Sequence, residues 1–173
     1  MLISKKMNAA LNEQIGNEFN ASLQYVSIAS HFSGDALPAL AAHFYRQADE
    51  ERDHAMRFVK YIVDAGGRIE IPTIPAPKGA FKNAEEAVQL SLDREKAVTQ
   101  QINQLYELAI KESDHTTRTF LAWFLTEQLE EVSSMDNLLK MVQRAGEANM
   151  LYVEAYLAGT TDKGGGKETK PEA

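Results

Sequence analysis

The sequence predicts an all-α fold: a four-helix bundle made of two antiparallel hairpins, with one long crossover between helices 2 and 3 and a short fifth helix at the C-terminus. Three observations carry that reading. Four long segments repeat apolar residues at helical steps of three and four. Proline and glycine fall mainly between those segments. The links between them are short, long and short in turn, and a short link makes neighbouring helices antiparallel.

The first helix spans roughly residues 4–33 and stops at Gly34. The second opens on Pro38, a residue suited to a first helical turn, and runs to Ala65, where Gly66 and Gly67 end it. Asn83 is the expected cap of the third, which reaches about Lys111, and Asp114 caps a fourth that reaches about Ala145 before Gly146. A short apolar helix follows over residues 148–158, and "GTTDKGGGKETKPEA" reads as a disordered polar tail over 159–173. Residues 1–158 therefore form one domain. The link "GGRIEIPTIPAPKGAFKN" is too long for a tight turn, and its prolines favour extended chain at ~3.1 Å per residue, for a reach of roughly 45 Å. Helices of ~28 residues are about 42 Å long, so the link can run the length of the bundle and leave helices 2 and 3 parallel.

Composition narrows the function. The 173 residues are enough to bury a substantial core unaided, and there are no cysteines, so disulfides, thiolate metal sites and cysteine nucleophiles drop out. A net charge of −7 argues against nucleic acid as a partner and favours cations. No signal peptide opens the chain and no run approaches the ~18 apolar residues of a membrane span, so the expected location is the cytoplasm.

The buried stripes carry the chemistry. Stepping by threes and fours gives Leu11, Ile15, Glu18, Ser22, Tyr25, Ala29 and Phe32 on the first helix, and Leu40, Phe44, Gln47, Glu51, His54, Phe58 and Tyr61 on the second. The third gives Val88, Leu92, Glu95, Thr99, Ile102, Tyr106 and Ala109, and the fourth Leu121, Phe124, Gln128, Glu131, Met135, Leu138 and Val142. One glutamate on one stripe would ordinarily signal a misread register or a snorkelling side chain. Here every stripe has one, each near its helix midpoint, and Glu51 lies one turn before His54. Four carboxylates, an imidazole and the Gln128 carboxamide should therefore meet at the middle of an apolar bundle, where unpaired charge costs several kcal/mol. Two divalent cations would neutralise the four charges, with His54 as a nitrogen donor. A carboxylate-rich set with one nitrogen and no thiolate suits iron or manganese and, less selectively, zinc. Tyr25 and Trp123 taken alone read as packing residues, and His31, His43 and His115 as ordinary helix or surface histidines.

Over roughly residues 5–158 the chain resembles the non-haem bacterial ferritins of the ferritin-like diiron superfamily. The resemblance rests on "LNEQIGNEFNASLQY", "EERDHA", "DREKAVTQQINQL" and "WFLTEQLEE". It implies a cytoplasmic homo-oligomeric cage of 24 subunits that oxidises Fe(II) with dioxygen and stores a ferric oxyhydroxide mineral. It also implies roles. Glu18 and His54 would hold the first iron, Glu51 would bridge, and Glu95 and Glu131 would serve the second. Gln128 would lie close to that second metal, and Tyr25 would supply electrons, with Trp123 nearby. Glu50, Glu127 and Glu130, one step off the stripes, match a third iron site; by themselves they read as a solvated acidic face. The fifth helix, with Leu151, Tyr152, Tyr156 and Leu157, matches the one packed at the family's fourfold axis, or it docks on its own bundle.

Departures from relatives also inform. Bacterioferritins place Glu-x-x-His on the fourth helix where this chain has Gln128-x-x-Glu131, and they ligate haem with a methionine where this chain has Arg52, so haem is not expected. The runner-up reading is a diiron oxidase or peroxidase of the same fold without bulk iron storage, and turnover with iron alone separates the two. A structural storage subunit with weak catalysis is another, and the intact ligand set argues against it; a third alternative is a helical interaction protein without metal, which an iron titration showing no saturable binding would favour.

Overall fold

A computed structural model describes residues 2–161, the last two by backbone alone. All regular structure among the described residues is helical: α1 (Lys5–Gly34), α2 (Pro38–Asp64), α3 (Ala84–Lys111), α4 (His115–Ala145) and α5 (Met150–Thr161), the last entered through a 3-10 turn at Glu147–Asn149. The helix starts follow their caps. Ser4, Asn83 and Asp114 accept hydrogen bonds from the backbone N–H three residues on, at 2.9 Å in each case. Asp114 also accepts from the Thr117 hydroxyl, which is 2.7 Å from the Tyr61 hydroxyl, so the start of α4 is tied to the end of α2. Just past that same end of α2, Gly66 adopts φ 71°, the left-handed turn that favours glycine. The helix after Gly146 begins two residues later than expected and ends three later. The expectation of a disordered tail falls, from residue 162 on, outside the described residues.

The core is divided. One apolar cluster joins Tyr25, Ile28 and Phe32 of α1, Leu40 and Phe44 of α2, Val88 and Leu92 of α3, Met135 and Leu138 of α4, and Met150, Val153 and Leu157 of α5. The other joins Met7, Leu11 and Ile15 of α1, Phe58 and Ile62 of α2, Val98 and Ile102 of α3, and Leu121 and Phe124 of α4. Between them lies a slab in which the buried residues are mainly polar: Glu18, Glu51, His54, Glu95, Gln128 and Glu131. A stack of rings, Phe58 on Phe124 at 4.4 Å between centroids, closes the slab on one side. Tyr25 and Phe44, 5.8 Å apart, close it on the other.

The crossover, residues 66–83, is extended, and α1 carries it on a polar stripe of four-residue spacing. The Asn12 side chain donates to the Arg68 carbonyl at 2.8 Å and accepts from the Glu70 N–H at 2.6 Å. Asn20 donates to the Pro75 carbonyl at 2.9 Å. Gln24 both donates to the Lys78 carbonyl, at 3.0 Å, and accepts from the Lys78 N–H, at 2.9 Å. These amides supply partners to an extended segment that has no neighbouring strand to pair with. Gly16 sits in the middle of the stripe because a Cβ there would overlap the Pro72 ring, with Pro72 Cδ at 3.1 Å. The link thus travels from the start of α1 to near its end, and α3 begins where α2 began. Helices 2 and 3 are parallel as a result.

At the top of α2 no residue caps the helix from its own sequence. Glu154 of α5 does so from a distance: its two carboxylate oxygens accept from Ala39 N–H at 2.8 Å and Leu40 N–H at 2.7 Å. The fifth helix therefore docks on its own bundle by Met150, Val153, Leu157 and this cap, while Leu151, Tyr152 and Tyr156 stay exposed.

Gly16→Ala is expected to destabilise the protein by about 1–3 kcal/mol, the usual range for an overpacked contact. Pairing it with Pro72→Ala should recover part of that loss. Denaturation midpoints of the single and double variants measure both, and an unchanged single variant would contradict the close approach.

Candidate metal centre

Each long helix brings one carboxylate into the polar slab. Glu18, on α1, is fully buried; its Oε1 accepts from the Gln14 side-chain amide at 2.9 Å, and its Oε2 has no hydrogen-bond partner. On α2, one turn separates Glu51 from His54, which leaves Glu51 Oε2 3.5 Å from His54 Nδ1. Neither of these two atoms has a hydrogen-bond partner. Glu18, Glu51 and His54 can each present one ligand atom within 4.8 Å of the other two, and all three residues are buried.

Glu95 of α3 is held on both oxygens. The Tyr25 hydroxyl donates to Oε1, and the Gln128 amide of α4 donates to Oε2 at 3.2 Å. Glu131, one turn beyond Gln128, is buried beside them, and its charge acts on Glu51. The His54 ring is packed edge-on against Trp123 at 5.5 Å and Phe124 at 5.7 Å. The Arg57 guanidinium covers the Trp123 ring at 4.0 Å.

The electrostatics reflect carboxylates taken out of water beside one another. Burial pushes the Glu18 carboxyl well up, and the Glu51 charge adds to the effect. Burial and then Glu95 raise Glu51. Burial raises Glu95 against the hydrogen bonds from Tyr25 and Gln128, which favour its anion. Glu131 is raised to about 8 by burial and then by the charges of Glu95 and Glu50. The Tyr25 phenol is pushed up by burial and then by Glu95, which keeps it a donor. Carboxyls in this state hold protons until a cation takes their place. The three unpartnered donor atoms of Glu18, Glu51 and His54 fit such a cation, since buried polar atoms ordinarily have partners.

The outer acids separate. Glu50 is exposed, accepts from the Gln47 amide, and its charge acts on Glu51, Glu95 and Glu131. Glu127 is half-buried and acts on Glu131. Glu130 faces solvent, as does Arg52, which lies 3.6 Å from Asp53. Of the remaining histidines, His43 is more enclosed than a surface residue: burial, then the Arg46 charge, lowers it to about 4. Gln14 is the residue the stripe reading passes over. Its signal is a fully buried amide one turn before Glu18, on a face the apolar steps do not mark.

Comparison with known proteins bears on this arrangement. The ferritin-like domain family matches residues 8–145. Ferritin BfrB of Mycolicibacterium smegmatis is 42% identical over 171 residues, covering 99% of this chain and 94% of that protein. A bacterial non-heme ferritin of Staphylococcus epidermidis is 37% identical over 153 residues, covering 88% and 92%. Among solved structures, an open pore ferritin from the archaeon Archaeoglobus fulgidus superposes with a TM-score of 0.87 at 31% identity, covering 90% of this chain and 96% of the other. Identity of this extent, over nearly the whole length and with the fold in common, places the chain in the ferritin family.

Proposed function

We propose that the protein is an iron-storage ferritin that oxidises Fe(II) with dioxygen at a two-iron centre within each subunit and retains the ferric oxyhydroxide inside a cage of 24 chains. The observation that carries this reading is the meeting of Glu18, Glu51 and His54, each with a buried donor atom lacking a partner, next to Glu95 and Glu131. Ferrous ions are the substrate. Glu18 and His54 serve one, Glu95 and Glu131 the other, and Glu51 lies between them. Two Fe(II) give up one electron each to one dioxygen, which leaves as hydrogen peroxide, while water supplies the oxo and hydroxo groups of the ferric product and protons leave. The chain's part is to hold two cations close together in a site of low polarity and to balance their charge with carboxylates. Tyr25, bonded to Glu95, is the residue placed to supply an electron, and Gln128 steadies the same carboxylate. Glu50 and Glu127 border the centre on the side of α2 and α4 and, with Glu130, would take iron leaving it as a third site.

The cage is supported by apolar side chains left uncovered on the single chain: Leu151, Tyr152 and Tyr156 on α5, and Leu23, Val26 and Tyr45 on α1 and α2. No helix among the described residues is long and apolar enough to cross a membrane. The cytoplasm is the location consistent with a protein that handles Fe(II). An oxidase or peroxidase without storage would turn over little iron and leave no mineral; mass and iron content after aerobic loading distinguish it.

Glu51→Ala and His54→Ala should each lower the initial rate of Fe(II) oxidation, at two irons per chain, to that of iron in buffer alone, with the assembled mass unchanged. Wild-type rates in either variant would remove the centre from these residues.

The raised carboxyls fix the sign of the pH dependence. Glu131 goes from an ordinary value of 4.5 to about 8 on folding, so the folded chain binds the proton more tightly than the unfolded one between those limits. Its contribution to metal-free stability is therefore full in acid and lost as pH rises through about 8. Thermal midpoints of metal-free protein should fall over that window, and metal loading should release protons and flatten the fall. Calorimetry in buffers of different ionisation enthalpy counts the protons; none released at pH 7 would contradict the neutral carboxyls.

A further inference from the structure

The hydrogen bonds around Glu18 identify a residue outside the predicted ligand set. Gln14 is 1% exposed, although it sits at the floor of a groove of about 580 Å³ between α1 and α3 that is lined also by Asn17, Gln101 and Gln104. Both ends of its amide are engaged. Its oxygen accepts from the Asn17 amide at 3.4 Å. Its nitrogen donates to Glu18 Oε1 at 2.9 Å and reaches the Gln101 oxygen at 3.5 Å. That arrangement orients the amide, because turning it over would place an acceptor against the Glu18 carboxylate and a donor against Asn17.

We infer that Gln14 is a positioning residue for the metal centre: it occupies Oε1 of Glu18, fixes the carboxylate's rotation, and leaves Oε2 as the one free oxygen offered to a cation beside Glu51 and His54. The inference rests on the two-metal reading of the slab. Three details support it. The bond comes from an uncharged amide, which orients Glu18 without adding a fixed positive charge that would compete with a cation. The donor is itself braced by two further amides, one on α1 and one on α3. And Glu18 Oε2 is the oxygen left without a partner. A side chain with about three rotatable bonds, such as glutamate, would otherwise lose rotamer freedom each time metal binds, and a braced hydrogen bond meets that cost in advance.

Anaerobic Co(II) titration, read by visible ligand-field absorption and by calorimetry, tests this without any oxidation chemistry. The proteins are wild type, Gln14→Met, which matches the volume but cannot donate, Gln14→Asn, which keeps an amide too short to reach Glu18, and Gln104→Ala, elsewhere in the groove. Wild type and Gln104→Ala should bind two Co(II) per chain alike. Both Gln14 variants should weaken one of the two sites by about 10–100-fold and change its Co(II) spectrum, with the other site retained. Folded Gln14 variants with wild-type affinity and spectrum would overturn the inference; a loss of thermal stability with an unchanged spectrum would make Gln14 a packing residue only, and would also overturn it. If Gln14→Met does not fold, Gln14→Asn decides. Absence of saturable Co(II) binding in wild type would instead remove the metal centre itself.

Discussion

The whole molecule is arranged around one unfavourable act, the burial of several carboxylates at the midpoint of a bundle. A single unpaired charge in such a place costs several kcal/mol, and like charges close together cost more. The two apolar clusters above and below the slab supply the stability that tolerates it. They also keep the slab narrow: Phe58 and Phe124 on one side and Tyr25 and Phe44 on the other leave the acids little room to turn away from one another. The raised carboxyls record a conflict that protons relieve only in part. A divalent cation would relieve it more fully, and so the same feature that weakens the metal-free protein would strengthen a metal-loaded one.

Neutral donors manage what the charges cannot. Around the slab, Gln14 bonds Glu18, Gln47 bonds Glu50, Gln128 and Tyr25 bond Glu95. In each case an uncharged group holds a carboxyl in place without adding an opposite charge beside it. A lysine or arginine at the same positions would have paired with the acid and competed with the metal. Amides and a phenol fix geometry and leave the anion available.

Much of this was legible in the sequence because helical periodicity is a one-dimensional signal. Four stripes with a glutamate at the midpoint of each, and Glu51 one turn from His54, gave the buried cluster; Asn83 and Asp114 marked the helix starts, and the length and prolines of residues 66–83 gave the parallel pair. What the stripes missed lies on other faces. The amide row Asn12, Asn20 and Gln24, with Gly16 between, is polar, so it reads as a solvent face, whereas it is buried against the crossover. Its partner is a segment without regular structure, and no periodicity announces such a partner. Gln14 escaped for a related reason: a buried amide has no apolar signature, and its meaning appears only with Glu18 Oε1 2.9 Å away. The extra turn of α5 past residue 158 marks another limit, since Gly159 and the threonines after it are poor helix formers and yet continue the helix.

The cap on α2 carries a consequence for how the chain comes into being. The first turn of α2 borrows its acceptor from Glu154, over a hundred residues downstream. A chain emerging from the ribosome can form the α1–α2 hairpin early, yet the N–H groups of Ala39 and Leu40 must wait for α5 before they find their carboxylate. The helix that carries Glu51 and His54 is therefore finished only once α5 has been made, and a product truncated before α5 would leave that helix open at its end.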